Sequence, residues 1–170
     1  MEIEPNFGFI VHDVARLLSR RFNDRAVVRL GLTRAQCRLL GYLARNEGIN
    51  QAGLADLLEI KPMTLVRQID RMEDSGWIAR RPDPADRRAR RLYLTERAWP
   101  ILSRILAVSD EVKSEAFVGL SDAEGHALIE QLRRVHANLS DRVPPASLPA
   151  AAGFDDPPAM PRAARAVAAG

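Results

Sequence analysis

Apolar residues recur along this chain at two periods, and the change from one to the other divides it into elements. Phe7, Ile10, Val11, Val14, Leu17, Leu18 and Phe22 fall three and four residues apart, the spacing of one helix face. They predict a helix over residues 7–30 that stops at Gly31. Thr33 and Gln36 have the spacing of a capping box, which starts a second helix with Cys37, Leu39, Leu40 and Leu43 as its apolar content. "RNEGIN" reads as a turn, and Asn50 is a suitable N-cap for a short third helix carrying Leu54, Leu57 and Leu58. Pro62 fits the first turn of a fourth helix, where its missing N–H costs nothing. That helix is predicted to run to about Ser75, with Gly76 as its C-terminal cap.

The fourth helix has two unlike faces. Leu65, Val66, Ile69 and Met72 form one; Thr64, Arg67, Gln68 and Arg71 form the other. "WIARRPD" and "RRLYLT" then read as short strands around "PADRRA", a hairpin with a charged tip. After Thr95 the helical period returns. Ile101, Leu102, Ile105, Leu106, Val108 and Val112 mark a long helix, with Pro100 in its first turns. Ser121 and Glu124 form a second capping box, and Leu128, Leu132, Val135 and Leu139 make a heptad-like stripe on the last helix. That stripe requires another helix, from the same chain or a second one. Residues 143–170 are rich in Ala and Pro and poor in core formers, and are expected to be a disordered tail.

The order helix, short helix, helix, charged hairpin is that of a winged helix-turn-helix. The expected fold is mainly α with a small β wing. At 170 residues and 46% apolar content, the chain has room for one domain of ordinary size plus a tail. Its net charge of +3 is modest. Between Lys61 and Arg97, however, ten basic residues face six acidic ones, a local excess larger than that of the whole chain. A phosphate-facing surface needs such an excess.

In this setting the polar face of the fourth helix has a chemistry. Arg67 can reach guanine edges or a phosphate, Gln68 adenine, and Thr64 a thymine methyl or a phosphate. Arg71 either joins them or pairs with Asp70, Glu73 or Asp74. The tip arginines Arg87 and Arg88 suit an adjacent narrow minor groove. Asp86 is expected to accept a fork of N–H bonds from a tip arginine and orient it.

Other chemistries are poorly served. There is one cysteine, Cys37, so no intramolecular disulfide can form. His12, His126 and His136 are scattered, and no Cys/His spacing suits zinc, so neither metal nor cofactor is expected. No nucleophile–base pair or Gly-rich phosphate loop points to an enzyme. The start "MEIEPNFGFIVHD" lacks the apolar core of a signal peptide, and no apolar run approaches a membrane span. A cytoplasmic location is the expectation. Trp77 and Trp99 read as packing residues, and Cys37 as a small core residue.

The segment "NQAGLADLLEIKPMTLVRQIDRMEDSGWIARRPDPADRRARRLYLTERA" resembles the MarR family of bacterial transcription regulators. Within it, "TLVRQIDRMEDSGWI" followed by "DRRARRLYLTERAWPIL" is similar to the SlyA branch. The resemblance extends over roughly Val11 to Leu139. It implies a MarR-type domain over 7–142, with a winged helix-turn-helix at 33–97. Helices at 7–30 and 98–142 would then form an all-helical dimerisation region. It implies a homodimer on double-stranded DNA, with half-sites of a pseudo-palindromic operator about one helical turn apart. Pro62, Met63, Thr64 and Arg67 match recognition-helix contact positions. Arg88 matches the wing arginine that enters the minor groove, with Arg87 beside it. The family commonly represses, the SlyA branch also counters nucleoid silencing, and release by a small aromatic or acidic effector is frequent.

At the effector site the chain departs from the branch. Cys37 stands where the branch has tryptophan, and Ser19 and Phe22 stand where it has arginines. Arg16, Arg20 and Arg38, with Cys37, are the remaining effector-binding candidates. Two other readings stand beside the DNA-binding regulator: a winged-helix module for protein–protein assembly, and a thiol-based redox-sensing regulator acting through Cys37.

Overall fold

A computed structural model of the chain describes residues 6–84, 86 and 89–139. The expected tail at 143–170, the residues 140–142 and the tip arginines Arg87 and Arg88 lie outside the described residues. The order is α1 (Phe7–Leu30), α2 (Arg34–Arg45), α3 (Gln51–Leu58), α4 (Pro62–Asp74), β1 (Ile78–Pro82), β2 (Arg90–Leu94), α5 (Ala98–Ala116) and α6 (Asp122–Leu139). This is a mainly helical winged helix with a two-stranded antiparallel wing.

Local chemistry sets the boundaries. The Asn6 side chain accepts from the Phe9 N–H, and Gly31, in the left-handed conformation, ends α1 by donating to the Ala26 and Val27 carbonyls. Thr33 and Gln36 complete a reciprocal capping box on α2, and Asn50 accepts from Gly53 N–H at 2.8 Å to start α3. Ser121 and Glu124 do the same for α6, and these bonds hold the Glu124 carboxyl below its ordinary range. Helix α4 ends at Asp74, and the chain reverses at Gly76, whose φ is +74°. That left-handed value strains any residue with a Cβ. Helix α5 begins at Ala98, three residues before its first strongly periodic position, because Ala98 and Trp99 are themselves buried.

The core lies between the winged elements and α5. Leu39, Leu40 and Leu43 of α2 meet Leu54 and Leu58 of α3, Leu65, Ile69 and Met72 of α4, Ile78 and Leu92 of the wing, and Leu102 and Ile105 of α5. Burying each such side chain contributes about 1.5–3 kcal/mol. The wing pairs Ile78 with Leu94, Arg80 with Leu92 and Pro82 with Arg90. "RNEGIN" is more than a turn. Gly48 N–H donates to Leu92 O at 2.8 Å, and Leu92 N–H donates to Ile49 O at 2.9 Å, so the segment extends the wing's hydrogen bonding by a short third rung. Glu47 adds a carboxylate oxygen 2.8 Å from the Leu94 N–H.

The outer helices behave differently. Helix α1 packs on α5 and is tied to it by Arg25 to Glu115 at 2.5 Å and Arg29 to Glu111 at 2.6 Å. The bond from Arg25, with the nearby charge of Arg21, holds the Glu115 carboxyl below its ordinary range. Its only fully buried residue is Ala26. Most of the predicted stripe of α1 stays in the open, with Phe7 at 59% and Leu17 at 49% exposure, while Phe22 packs against the core; most of that of α6 is open too, with Leu132 at 43%. Among the described residues, no helix is long and apolar enough to cross a membrane.

Candidate nucleic-acid interface

Helix α4 is held by one face and free on the other. Leu65, Ile69 and Met72 are buried and Val66 is half-buried, which fixes the rotation of the helix about its axis. The opposite side is thereby turned outward. Pro62, Met63, Thr64, Arg67 and Arg71 are exposed, and Gln68 is half-buried. Positions 64, 67, 68 and 71 share one face because residues three and four apart are neighbours on a helix. Among the described residues, no carboxylate lies within ion-pair distance of Arg67 or Arg71. Lys61, just before α4, is equally exposed and has no ion-pair partner among the described residues; in the sequence it entered only the charge count. Its place beside a helix N-terminus shows only once the helix start is fixed at Pro62.

Two of the three acidic residues of α4 face the wing. Asp70 and Glu73 both pair with Arg80 of β1. Arg71 therefore does not compete for them.

The wing is built on ordered polar contacts. Asp86 is exposed, and its carbonyl accepts the Ala89 N–H at 3.0 Å. Asp83 accepts from Arg91 Nε at 2.8 Å. Arg91 also donates to Gly48 O at 3.3 Å, and Asp83 raises its pKa further. Arg81 lies over the Tyr93 ring, 4.5 Å from its centroid. Arg90 points outward, exposed, at the end of β2.

Residues 30–89 match the family model described as MarR family. The fold is the MarR winged helix. A crystal structure of MarR is similar over 81% of this chain and 93% of its own, at 28% identity and a TM-score of 0.72. A structure described as the Multiple Antibiotic Resistance Repressor, MarR, matches over 79% of this chain and 96% of that one, at 27% identity and a TM-score of 0.70. An uncharacterized SlyA-like transcription regulator from Listeria monocytogenes matches over 80% and 89%, at 25% identity and a TM-score of 0.67.

Within this MarR-type fold the effector candidates are dispersed. Arg16 pairs with Asp13 on the open side of α1 at 3.2 Å. Arg20 lines a surface concavity of about 180 Å³ with Leu17, Arg21 and Asp24, all on α1. Arg38 stacks over Tyr42 on α2, 5.6 Å from the ring centroid. Cys37 is buried at 2% exposure, and burial pushes its thiol up to about 11. The structure therefore joins Arg38 to Cys37 only as chain neighbours and does not place Arg16 or Arg20 in a cavity with them. Among the described residues, no group of His, Cys, Asp and Glu could hold a metal ion.

Proposed function

We propose that the chain is a sequence-specific, double-stranded-DNA-binding transcription regulator that works as a homodimer. The observation that carries this reading is the outward face of α4, with Thr64, Arg67 and Arg71 exposed beside a basic wing and with Asp70 and Glu73 engaged by Arg80. Helix α4 enters the major groove. There Arg67 and Gln68 read base edges, Pro62, Met63 and Thr64 approach the backbone and thymine methyls, and Arg71 takes a phosphate. The wing reaches the next minor groove through Arg87 and Arg88, with Asp86 orienting them.

The domain boundaries follow from the same reading. Residues 33–97 are the DNA-binding unit, residues 7–30 and 98–142 the dimerisation helices. The open apolar faces of α1 and α6 support a second copy as partner. Exposed apolar stripes on two helices are costly alone and are covered when chains associate. The SlyA-like branch is supported by the "DRRARRLYLT" wing and by the Listeria relative, and repression by the name of the relative described as a repressor.

The test is a titration of purified protein against fragments of its own upstream DNA, with unrelated DNA as control, at two salt concentrations. Tighter binding to one fragment, falling steeply with salt as phosphate contacts release counterions, is the expected result. Equal, weak binding to every fragment would remove the recognition role of α4. An assembly module would show no salt-dependent DNA binding at all.

A further inference from the structure

The Arg80 side chain is only 19% exposed, against 28% for Arg25, although it sits on a wing strand at the protein surface. Its guanidinium is divided between two carboxylates of α4. Nη2 donates to Asp70 at 2.5 Å, Nη1 donates to Glu73, and the Arg80 backbone N–H also points at Glu73 Oε1. Asp70 and Glu73 stand three residues apart and so share one edge of the helix. Burial works against the Arg80 charge, but the two carboxylates together more than offset it, and its pKa is raised. A planar fork held by two acceptors fixes direction as well as distance.

The geometry matters because two separate elements must meet two separate grooves. Between α4 and β1 lie only Ser75, Gly76 and Trp77, a reversal with one left-handed residue. The link is bonded locally, Trp77 N–H donating to Met72 O at 2.9 Å and Thr95 N–H to Trp77 O at 3.0 Å. Arg80 spans it, from the third paired position of β1 to the last two turns of α4. On the other side of the wing, Arg91 is tied to Asp83 and Gly48.

We propose that Arg80 is a positioning residue that sets the angle between recognition helix and wing, so that both engage neighbouring grooves at once. It touches no DNA. This rests on the DNA-binding reading above. The same contacts turn the negative charges of Asp70 and Glu73 towards the wing strand and away from the face that carries Arg67.

The test compares Arg80→Met, Arg80→Lys and Asp70→Asn/Glu73→Gln in the full chain. The readouts are the ratio of operator to random-DNA affinity, the salt slope, thermal unfolding, and amide exchange of the wing strands without DNA. Arg80→Lys keeps the charge and loses the fork. A brace predicts that all three variants lower the affinity ratio by about tenfold, the size of one lost base contact. It also predicts unchanged salt slopes and faster exchange in β1 and β2 but not in α2. Full rescue by Arg80→Lys, or a salt slope lower by about one for Arg80→Met, would instead make Arg80 a phosphate-facing charge and overturn the proposal. A lower unfolding temperature with an unchanged ratio and unchanged exchange would reduce it to a stabilising pair. Should the unaltered protein show no operator preference, the DNA-binding reading falls, and wing exchange alone decides whether the brace exists.

Discussion

Cys37 offers the sharpest quantitative expectation. The side chain is 2% exposed, and burial, opposed in part by a backbone hydrogen bond, raises its thiol from 9.0 to about 11. Reaction with an aromatic disulfide requires the thiolate. At pH 8 a thiol with the ordinary value is about one-tenth ionised, and one at 11 about one-thousandth, so ionisation alone slows reaction roughly a hundredfold. Burial slows it further. The assay is reagent release by the native protein and by the same protein in urea. Native labelling within tenfold of the unfolded rate would refute the reasoning. So would a peroxide-induced loss of DNA binding that thiol reductant restores and Cys37→Ser abolishes, and that result would establish the redox-sensing alternative. The same shift carries a pH dependence. The folded state holds the Cys37 proton more tightly than the unfolded chain does. Its contribution to stability is therefore complete below about pH 9 and is lost as pH rises through about 11. Urea midpoints from pH 8 to 11 should fall more steeply in the natural chain than in Cys37→Ala.

Three further expectations follow from the fold. Arg67→Ala should weaken operator binding by about 1–3 kcal/mol, some 5- to 150-fold, and relax base preference at one position; unchanged affinity and preference would end its recognition role. Gly76→Ala places a Cβ on a residue with φ +74°, 2.8 Å from the tip of Arg97. The Arg97 tip can swing aside, so the backbone term remains, about 1–2 kcal/mol, read as a lower urea midpoint. Leu17→Glu puts charge into the open stripe of α1. It should yield monomers in sedimentation at concentrations where the natural chain sediments as a dimer, and a persistent dimer would move the interface elsewhere.

Much of this architecture was legible because it is encoded locally. Periodicity placed α1 at 7–30, and three short-range caps, at Asn50, Thr33–Gln36 and Ser121–Glu124, fixed the starts of α3, α2 and α6. The two faces of α4 were equally plain, since a 3.6-residue repeat sorts them without tertiary knowledge. What escaped depends on distance in space. The pairing of Gly48 and Ile49 with Leu92 uses backbone groups, which carry no side-chain signature. Arg80 lies ten residues from Asp70 across a reversal, and nothing in the order of residues sets the angle that brings them together. Asp83, which holds Arg91, was not singled out in the sequence, because two acidic positions three residues apart in a short charged loop look alike until the strand ends are fixed.

The bonds that join α1 to α5 also bear on how the chain is made. Arg29 reaches Glu111 across 82 positions, whereas most contacts within the winged unit are far more local. At ribosomal speeds of about 5–20 residues per second, α1 is synthesised roughly 4–16 s before that partner. During this interval the winged unit can close on itself, since contacts of short sequence separation form first. Helix α1 meanwhile waits with both its ionic edge and its apolar stripe unmet. Helix α1, made before the winged unit, is therefore among the last to dock, and its exposed side chains mark the stage of biogenesis at which a holding chaperone has most to cover.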